Sequence, residues 1–416
     1  MEIKMQFIIF CLVLLSSCQP RKDILEEAWL EEITLTDTER EASAGTQAFA
    51  FDLFRIEVQN HPQENNLISP FSLSSALSML MNGARGECLE EMQQAMGMKD
   101  TPMEDLNGYF RKLTKGLVRL DSTVTWSAAN ALWLNHSIPI QQKYIDTLNG
   151  AYEAEMSSLD FASPEAVSTI NNWCKEKTMG KIDRLITQPL SPQTALALTN
   201  AVYFKASWAI PFEYSETKNE LFYPLNQSPQ KAMMMHRLGN CGYLKTETFE
   251  MVELPCGNGN FSVMFLLPSA DKPWNDCLKE FTPAHYSSWC DSLQHKSRMV
   301  DLKIPRFSLK RDIDCNVLLQ QQGMQKMFDE NNADFTAISE RHLNVDKVIQ
   351  SSFIDIYEEG VEAASATGII VTFESEIVTM EPVIPFHANR PFLFLLKERS
   401  TGAVLFMGRV INMSLC

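Results

Sequence analysis

Residues 358–368 read Glu-Glu-Gly-Val-Glu-Ala-Ala-Ser-Ala-Thr-Gly, and this stretch decides how the rest of the chain is understood. In a strand every second side chain points to one face, and from Val361 that set is Val361, Ala363, Ser365, Thr367, Ile369 and Val371. None of them is charged, so the whole set can be buried. The alternate set, Glu362, Ala364, Ala366, Gly368, Ile370 and Thr372, holds one ionisable group, Glu362, which can stay in water. A segment so rich in Ala, Ser and Gly has little strand propensity of its own, and without a sheet to join it is expected to be an exposed loop. The stretch suits two states, a loop and a buried strand.

The same residues resemble the proximal hinge of the reactive loop of inhibitory serpins. Four more stretches are similar to serpin landmarks and follow in serpin order: Asn66-Leu67-Ile68-Ser69-Pro70-Phe71-Ser72-Leu73, Thr199-Asn200-Ala201-Val202-Tyr203-Phe204-Lys205-Ala206-Ser207-Trp208, Ala333-Asp334-Phe335-Thr336-Ala337-Ile338-Ser339 and Asn389-Arg390-Pro391-Phe392-Leu393-Phe394. Together they span roughly Thr46 to Met413. The resemblance implies an α+β fold of three β-sheets surrounded by eight or nine helices, with the last two strands formed after the reactive loop.

It also implies suicide inhibition of a serine or cysteine protease, with no cofactor and the inhibitor as a monomer. The protease attacks the loop, an acyl-enzyme forms, and the cut segment enters the main sheet as a new strand. The hinge positions are Glu358, Gly360, Val361, Glu362, Ala363, Ala364 and Ser365, within a reactive loop of about residues 358–390. Ser69, Pro70, Ser72 and Asn200 match the shutter over which the sheet must open, and Trp208 matches the aromatic residue where insertion begins. Gln350 stands where the family often has a histidine. An amide both donates and accepts, so the network can form without the pH response of an imidazole.

Counted from Glu358, the family's spacing puts the scissile bond at Glu374-Ser375; Phe373-Glu374 and Val371-Thr372 are the alternatives. No Lys or Arg lies between Gly360 and Asn389, so a trypsin-like enzyme, whose pocket acid requires a basic side chain, has nothing to cut there. The second functional reading is a non-inhibitory carrier or binding module. Small uncharged residues at Val361, Ala363 and Ser365 favour inhibition.

At its start the chain carries Lys4, an apolar run from Met5 to Leu15 and then Ser16-Ser17-Cys18. That run is too short for the ~20 residues that span a bilayer and suits a signal-peptide core. The ending resembles a bacterial lipobox, which implies a signal peptide over residues 1–17, a lipidated Cys18 and a membrane anchor at the cell envelope; an ordinary signal peptide with secretion is the alternative. Polar, acidic residues 18–45 read as a tether, and 46–416 as one domain without a linker or repeat.

A net charge of −16 argues against nucleic-acid binding, which needs a basic footprint. Arg111, Lys112, Lys115 and Arg119 share part of a helical face but read as solvated charges. Among ten cysteines there is no C-x-x-C pair, and the seven histidines show no metal-ligand spacing. Cys241 and Cys256 flank an expected hairpin through Lys245–Glu250 and are the pair best placed for a disulfide. The chain lacks G-x-S-x-G, H-E-x-x-H and phosphate-loop signatures, so no catalytic residues are assigned and an enzyme is not expected. Apolar spacing predicts helix from Ser72 to Met96 with a break at Gly83 and Gly86. Strands are predicted at Val124–Leu134, Ala195–Phe204, Met251–Pro255 and Phe261–Leu267.

Overall fold

A computed structural model describes residues 32–225, 227–361 and 382–415. Its first helix, α1 (Asp37–Asn60), starts at a capping box: the Thr36 hydroxyl accepts from the Glu39 N–H, and the Glu39 carboxylate accepts from the Thr36 N–H. Ile33 and Leu35 just before it are buried, and the Ile33 N–H donates to Ser400 Oγ at 3.0 Å. The expected tether over 18–45 is thus too long. Residues 37–45 are helix because the cap and the apolar face of α1 outweigh the acidic composition that suggested a linker.

The remaining helices described are α2 (Pro70–Gly83), α3 (Gly86–Ala95), α4 (Met103–Arg119), α5 (Gln142–Ala151), α6 (Pro164–Lys177), α7 (Trp274–Glu280), α8 (Pro283–Gln294) and α9 (Asn316–Gln321). The strands are β1 (Asn66–Ile68), β2 (Thr125–Asn135), β3 (Glu155–Leu159), β4 (Leu196–Ser207), β5 (Lys218–Phe222), β6 (Gln230–Lys245), β7 (Phe249–Cys256) and β8 (Phe261–Pro268), then β9 (Ser297–Pro305), β10 (Phe307–Asp314), β11 (Lys347–Tyr357), β12 (Gly360–Val361), β13 (Ile384–His387), β14 (Phe392–Glu398) and β15 (Val404–Val410). Three strands follow the loop where two were expected, because Ile384–His387 pairs in parallel with β9.

One sheet runs β10-β11-β12-β4-β2-β3; the other runs β1-β15-β14-β8-β7-β6-β9-β13, with β5 paired to β6. Two of the three expected sheets are therefore continuous. The joint is β6, whose 16 residues pair first with β5, then with β9 and finally with β7. Between the sheets lies the main core, where Trp126 packs at ring distances of 6.4 Å from Phe71, 6.4 Å from Phe204 and 6.1 Å from Phe406. On the outer side of β2 and β4, Trp133, Trp173, Ile170 and Cys174 form a second cluster. Covered on both faces, β4 reads as a nearly continuous apolar run instead of an alternating one.

Cys88, Cys174, Cys241, Cys256, Cys277, Cys290 and Cys315 are all free thiols, so the disulfide considered between Cys241 and Cys256 is absent. A core this large needs no staple. Burial pushes both thiols up, that of Cys241 to about 11, which leaves them as unreactive apolar groups.

Candidate functional site

β11 and β4 are neighbours that part company halfway. From Lys347↔Ala197 to Phe353↔Tyr203 they form a parallel ladder of seven register pairs. Beyond it β12 stands between them, antiparallel to both: Val361 lies opposite Ile356 and Ala206, Gly360 opposite Tyr357 and Ser207. The hinge is therefore already two residues inside the sheet. This revises the expected loop of about 358–390, since Glu358 and Val361 are buried and Ile384–His387 is a strand. The sheet supplies the partner that the composition lacked.

Gly360 is the residue type this position requires. A Cβ there would lie 2.1 Å from the Ala206 carbonyl oxygen and 2.6 Å from Ser207 Cα, so no larger side chain fits between the strands without displacing backbone. Val361, next to it, has no exposed surface, as its place in the uncharged set predicts.

The turn between β11 and β12 is held by one segment, Trp208 to Thr217. The Trp208 N–H donates to the Glu359 carbonyl at 2.8 Å, its indole N–H to the Tyr357 carbonyl at 2.8 Å, and the Phe212 N–H to the Glu358 carbonyl at 2.8 Å. Thr217 Oγ1 donates to Glu358 Oε1 at 2.8 Å. The other carboxylate oxygen, Oε2, finds no hydrogen-bond donor among the described residues, and Arg306 stands 3.8 Å away. From behind, the Arg237 guanidinium lies 5.3 Å over the Phe212 ring and donates to the Ile210 carbonyl.

Below the split, the ladder is tied by side-chain amides. Gln350 and Asn200 are a register pair of β11 and β4, and Asn200 pairs in turn with Asn130 of β2. Gln350 Nε2 donates to Asn200 Oδ1 at 2.7 Å and to the Ser69 carbonyl at 2.9 Å, while its Oε1 accepts from the Ser69 N–H at 2.9 Å. Asn200 Nδ2 donates to Asn130 Oδ1 at 2.6 Å and to the Ser72 hydroxyl. Ser69 Oγ donates to the Leu405 carbonyl at 2.7 Å, and Pro70 opens α2 directly after it. Ser69, Ser72, Asn200 and Gln350 thus meet in one buried belt, at the N-terminus of α2 under the closed part of the sheet. Each of these polar groups would cost ~1–3 kcal/mol if left unpaired.

At the other end of the loop, β13 pairs with β9 alone among the described residues. His387 and His236, from β13 and β6, place their Nε2 atoms 2.8 and 2.7 Å from the two oxygens of Asp301 on β9. Burial pushes the Asp301 carboxyl up, but the bonds from His387 and His236 outweigh it and hold the group below the usual carboxylate range. Within the basic quartet, Lys112 binds Glu39 and Lys115 lies 3.7 Å from Glu153. Glu362, Ala363, Ala364, Ser365, the bond candidates Phe373, Glu374 and Ser375, and Cys18 lie outside the described residues.

Sequence reasoning missed Asn130, Thr217 and Arg306. Asn130 had a signal, because an amide on the apolar face of a predicted strand must find a partner. Thr217 and Arg306 had none, being brought to Glu358 by the path of the chain alone.

The serpin (serine protease inhibitor) family model matches residues 44–413. The leukocyte elastase inhibitor of Sus scrofa is 33% identical over 379 residues, covering 88% of this chain and 98% of its own length. An uncharacterized serpin-like protein of Thermococcus kodakarensis is 32% identical over 374 residues, covering 88% and 84%. Among solved structures, the thermophilic serpin tengpin in its native state superposes with a TM-score of 0.81 at 27% identity, covering 94% of this chain and 99% of that one. Human thyroxine-binding globulin complexed with thyroxine gives 0.82 at 28% identity, covering 90% and 99%. With Ser69, Ser72, Asn200, Trp208 and Gln350 gathered along one seam and the family match extending over nearly the whole described domain, this chain belongs to the serpin family.

Proposed function

We propose that this protein is a suicide-substrate inhibitor of a serine or cysteine endopeptidase that is not trypsin-like. One observation carries the reading: β12 lies between β11 and β4 with its chain direction pointing into the closed part of the seam. After cleavage, the strand can lengthen downward and exchange one parallel ladder for two antiparallel ones. Each new backbone bond contributes ~0.5–1.5 kcal/mol net, and Ala363, Ile369 and Val371 add apolar burial to that which Val361 already has. A protease still esterified to the cut end is carried along before water can release it.

The carrier reading draws on the likeness to thyroxine-binding globulin, and the uncharged hinge set weighs against it. Cys18 and the short apolar run before it favour a lipoprotein held at the envelope, where it meets proteases close to the membrane. The test is incubation with elastase-like, chymotrypsin-like, glutamate-specific and cysteine proteases, followed by a denaturing gel and mass spectrometry of the released peptide. A denaturant-resistant complex with one of them, and a peptide starting at Ser375 or at one of its named alternatives, is expected. Cleavage by every enzyme with no stable complex would refute inhibition.

A further inference from the structure

Away from the seam, one buried cluster has no part in protease inhibition. Lys397 of β14, whose side chain is only 2% exposed, lies against Cys290 of α8 and Glu253 of β7. Its Nζ donates to Cys290 Sγ at 3.1 Å and stands 3.2 Å from Glu253 Oε1, which also accepts from the Ser262 hydroxyl at 2.6 Å. A lysine is seldom buried so fully unless its charge is paired, and Glu253 provides that pair. The pair does not explain the thiol. The β14–β15 register shifts between Leu396 and Lys397, an irregularity of the kind that re-aims a side chain.

Cys290 differs from the other cysteines among the described residues. Cys88, Cys174, Cys241, Cys256, Cys277 and Cys315 are buried, whereas Cys290 is half-buried and keeps contact with solvent, from which a small oxidant approaches. At 3.1 Å, the lysine nitrogen and the sulfur are already at the separation from which a bond forms with little further movement.

We infer that Cys290 and Lys397 are a modification site, at which a hydroperoxide drives a sulfur–nitrogen cross-link between α8 and β14, 107 residues apart in sequence. In its thiolate form the sulfur attacks the hydroperoxide: an S–O bond forms, the O–O bond breaks, and the departing alkoxide or hydroxide takes a proton from the Lys397 ammonium. The freed amine then attacks the sulfenic sulfur. The S–N bond forms as the S–O bond breaks, and the leaving hydroxide takes a proton from the nitrogen and departs as water. Sulfur has been oxidised by one electron pair, and the peroxide reduced by the same pair. The bridging nitrogen is uncharged, and Arg399, whose Nε lies 3.8 Å from Glu253 Oε1 with no hydrogen-bond partner among the described residues, is the cation that remains for Glu253. Burial holds the Cys290 thiol above its ordinary value against the pull of Lys397, so the link forms slowly under sustained oxidant. Once formed, it restricts the unfolded chain as any long-range cross-link does.

The test holds full-length protein in excess hydrogen peroxide or in dithiothreitol, digests it with trypsin without reductant and reads the peptides by mass spectrometry. After peroxide, the peptide carrying Cys290 should be joined to the one carrying Lys397, lighter than their sum by a pair of hydrogens, with cleavage after Lys397 lost. Dithiothreitol should reverse both changes. Cys290→Ser should abolish the joined peptide, and so should Lys397→Arg, which keeps a cation beside Glu253; if the latter does not fold, Cys290→Ser decides alone. Peroxide should also raise the guanidinium unfolding midpoint of the wild type relative to Cys290→Ser, in which the methionines oxidise equally. Cys290 carried on to its sulfinic acid with trypsin still cutting after Lys397, or left as a thiol while the methionines oxidise, would overturn the cross-link. A joined peptide without a difference in midpoint would overturn its effect on stability.

Discussion

The upper and lower halves of the β11–β4 seam are built from opposite materials. Above, the strands are wedged apart by a glycine and a valine, and the turn that presents them is gripped by backbone bonds from Trp208 and Phe212. Below, a seven-pair ladder is closed, and Gln350, Asn200 and Asn130 link three strands to α2 through Ser69 and Ser72. On the proposed inhibitory reading, the upper half is an opening already begun and the lower half is what resists it. Resistance by hydrogen bonds that an incoming strand can replace is a barrier in rate more than in final energy, which is how a protein can be stable for long periods in a form that is not its most stable one.

The sharpest way to break this contrast is to make the upper half refuse the loop. Val361→Arg puts a charge at a fully buried position without a counter-ion, a cost of several kcal/mol. The variant should be cut as a substrate, with the stoichiometry of inhibition raised more than about tenfold, a factor worth ~1.4 kcal/mol in partitioning. Wild-type stoichiometry would show that insertion does not pass through β12. Gly360→Val should act in the same direction but more weakly, because the clash with the Ala206 carbonyl can be relieved by expelling the hinge before cleavage. Greater protease sensitivity near residue 360 in the intact variant is the accompanying sign.

Weakening the lower half should have a smaller effect of different character. Gln350→Ala leaves the Ser69 N–H, the Ser69 carbonyl and Asn200 Oδ1 each short of a partner. Intact protein should lose roughly 2–4 kcal/mol of stability by chemical unfolding, and conversion to the inserted form without cleavage should become faster. Gln350→His should introduce a pH dependence of that conversion near an imidazole's ordinary value of ~6.5, which the wild type lacks at this site.

The smallest effect expected is at the far anchor of the loop. Because the folded Asp301 carboxyl lies below its unfolded value, its contribution is present above about pH 4 and is lost as pH falls through the folded value. Amide-exchange protection of Ile384–His387 should therefore drop on acidification below about pH 4. Asp301→Asn should show weaker protection at neutral pH and no acid step; an unchanged acid step would assign the titration to another group.

Much of this contrast was legible in the chain, and the boundary follows the physics. The alternation after Val361 identified the set that can be buried, because burial of charge is costly enough to leave a pattern. The landmark stretches led to Ser69, Ser72, Asn200 and Trp208, and counting back from Glu358 led to Gln350; the fold brings all five to the seam. Depth was not legible: a stretch so rich in Ala, Ser and Gly has little strand propensity, and only β4 and β11 make Gly360 and Val361 a strand. The length of the tether was misjudged partly for a related reason: the Thr36–Glu39 capping box is local and was legible, but the burial of Ile33 depends on Gly116 of α4 and Ser400 of the β14–β15 turn. Continuity of two sheets along β6 was also hidden, because a 16-residue strand that changes neighbours looks in sequence like two.

The unfolding midpoint of intact protein, compared with protein cut once between Ile369 and Thr379, tests most directly whether the seam is built to receive the loop. Insertion predicts that the cut form melts tens of degrees higher, with no protease bound and no change in composition beyond one hydrolysed bond. Equal midpoints, or a lower one after a verified cut, would mean that the seam stays closed and that β12 is an ordinary short strand of a finished sheet.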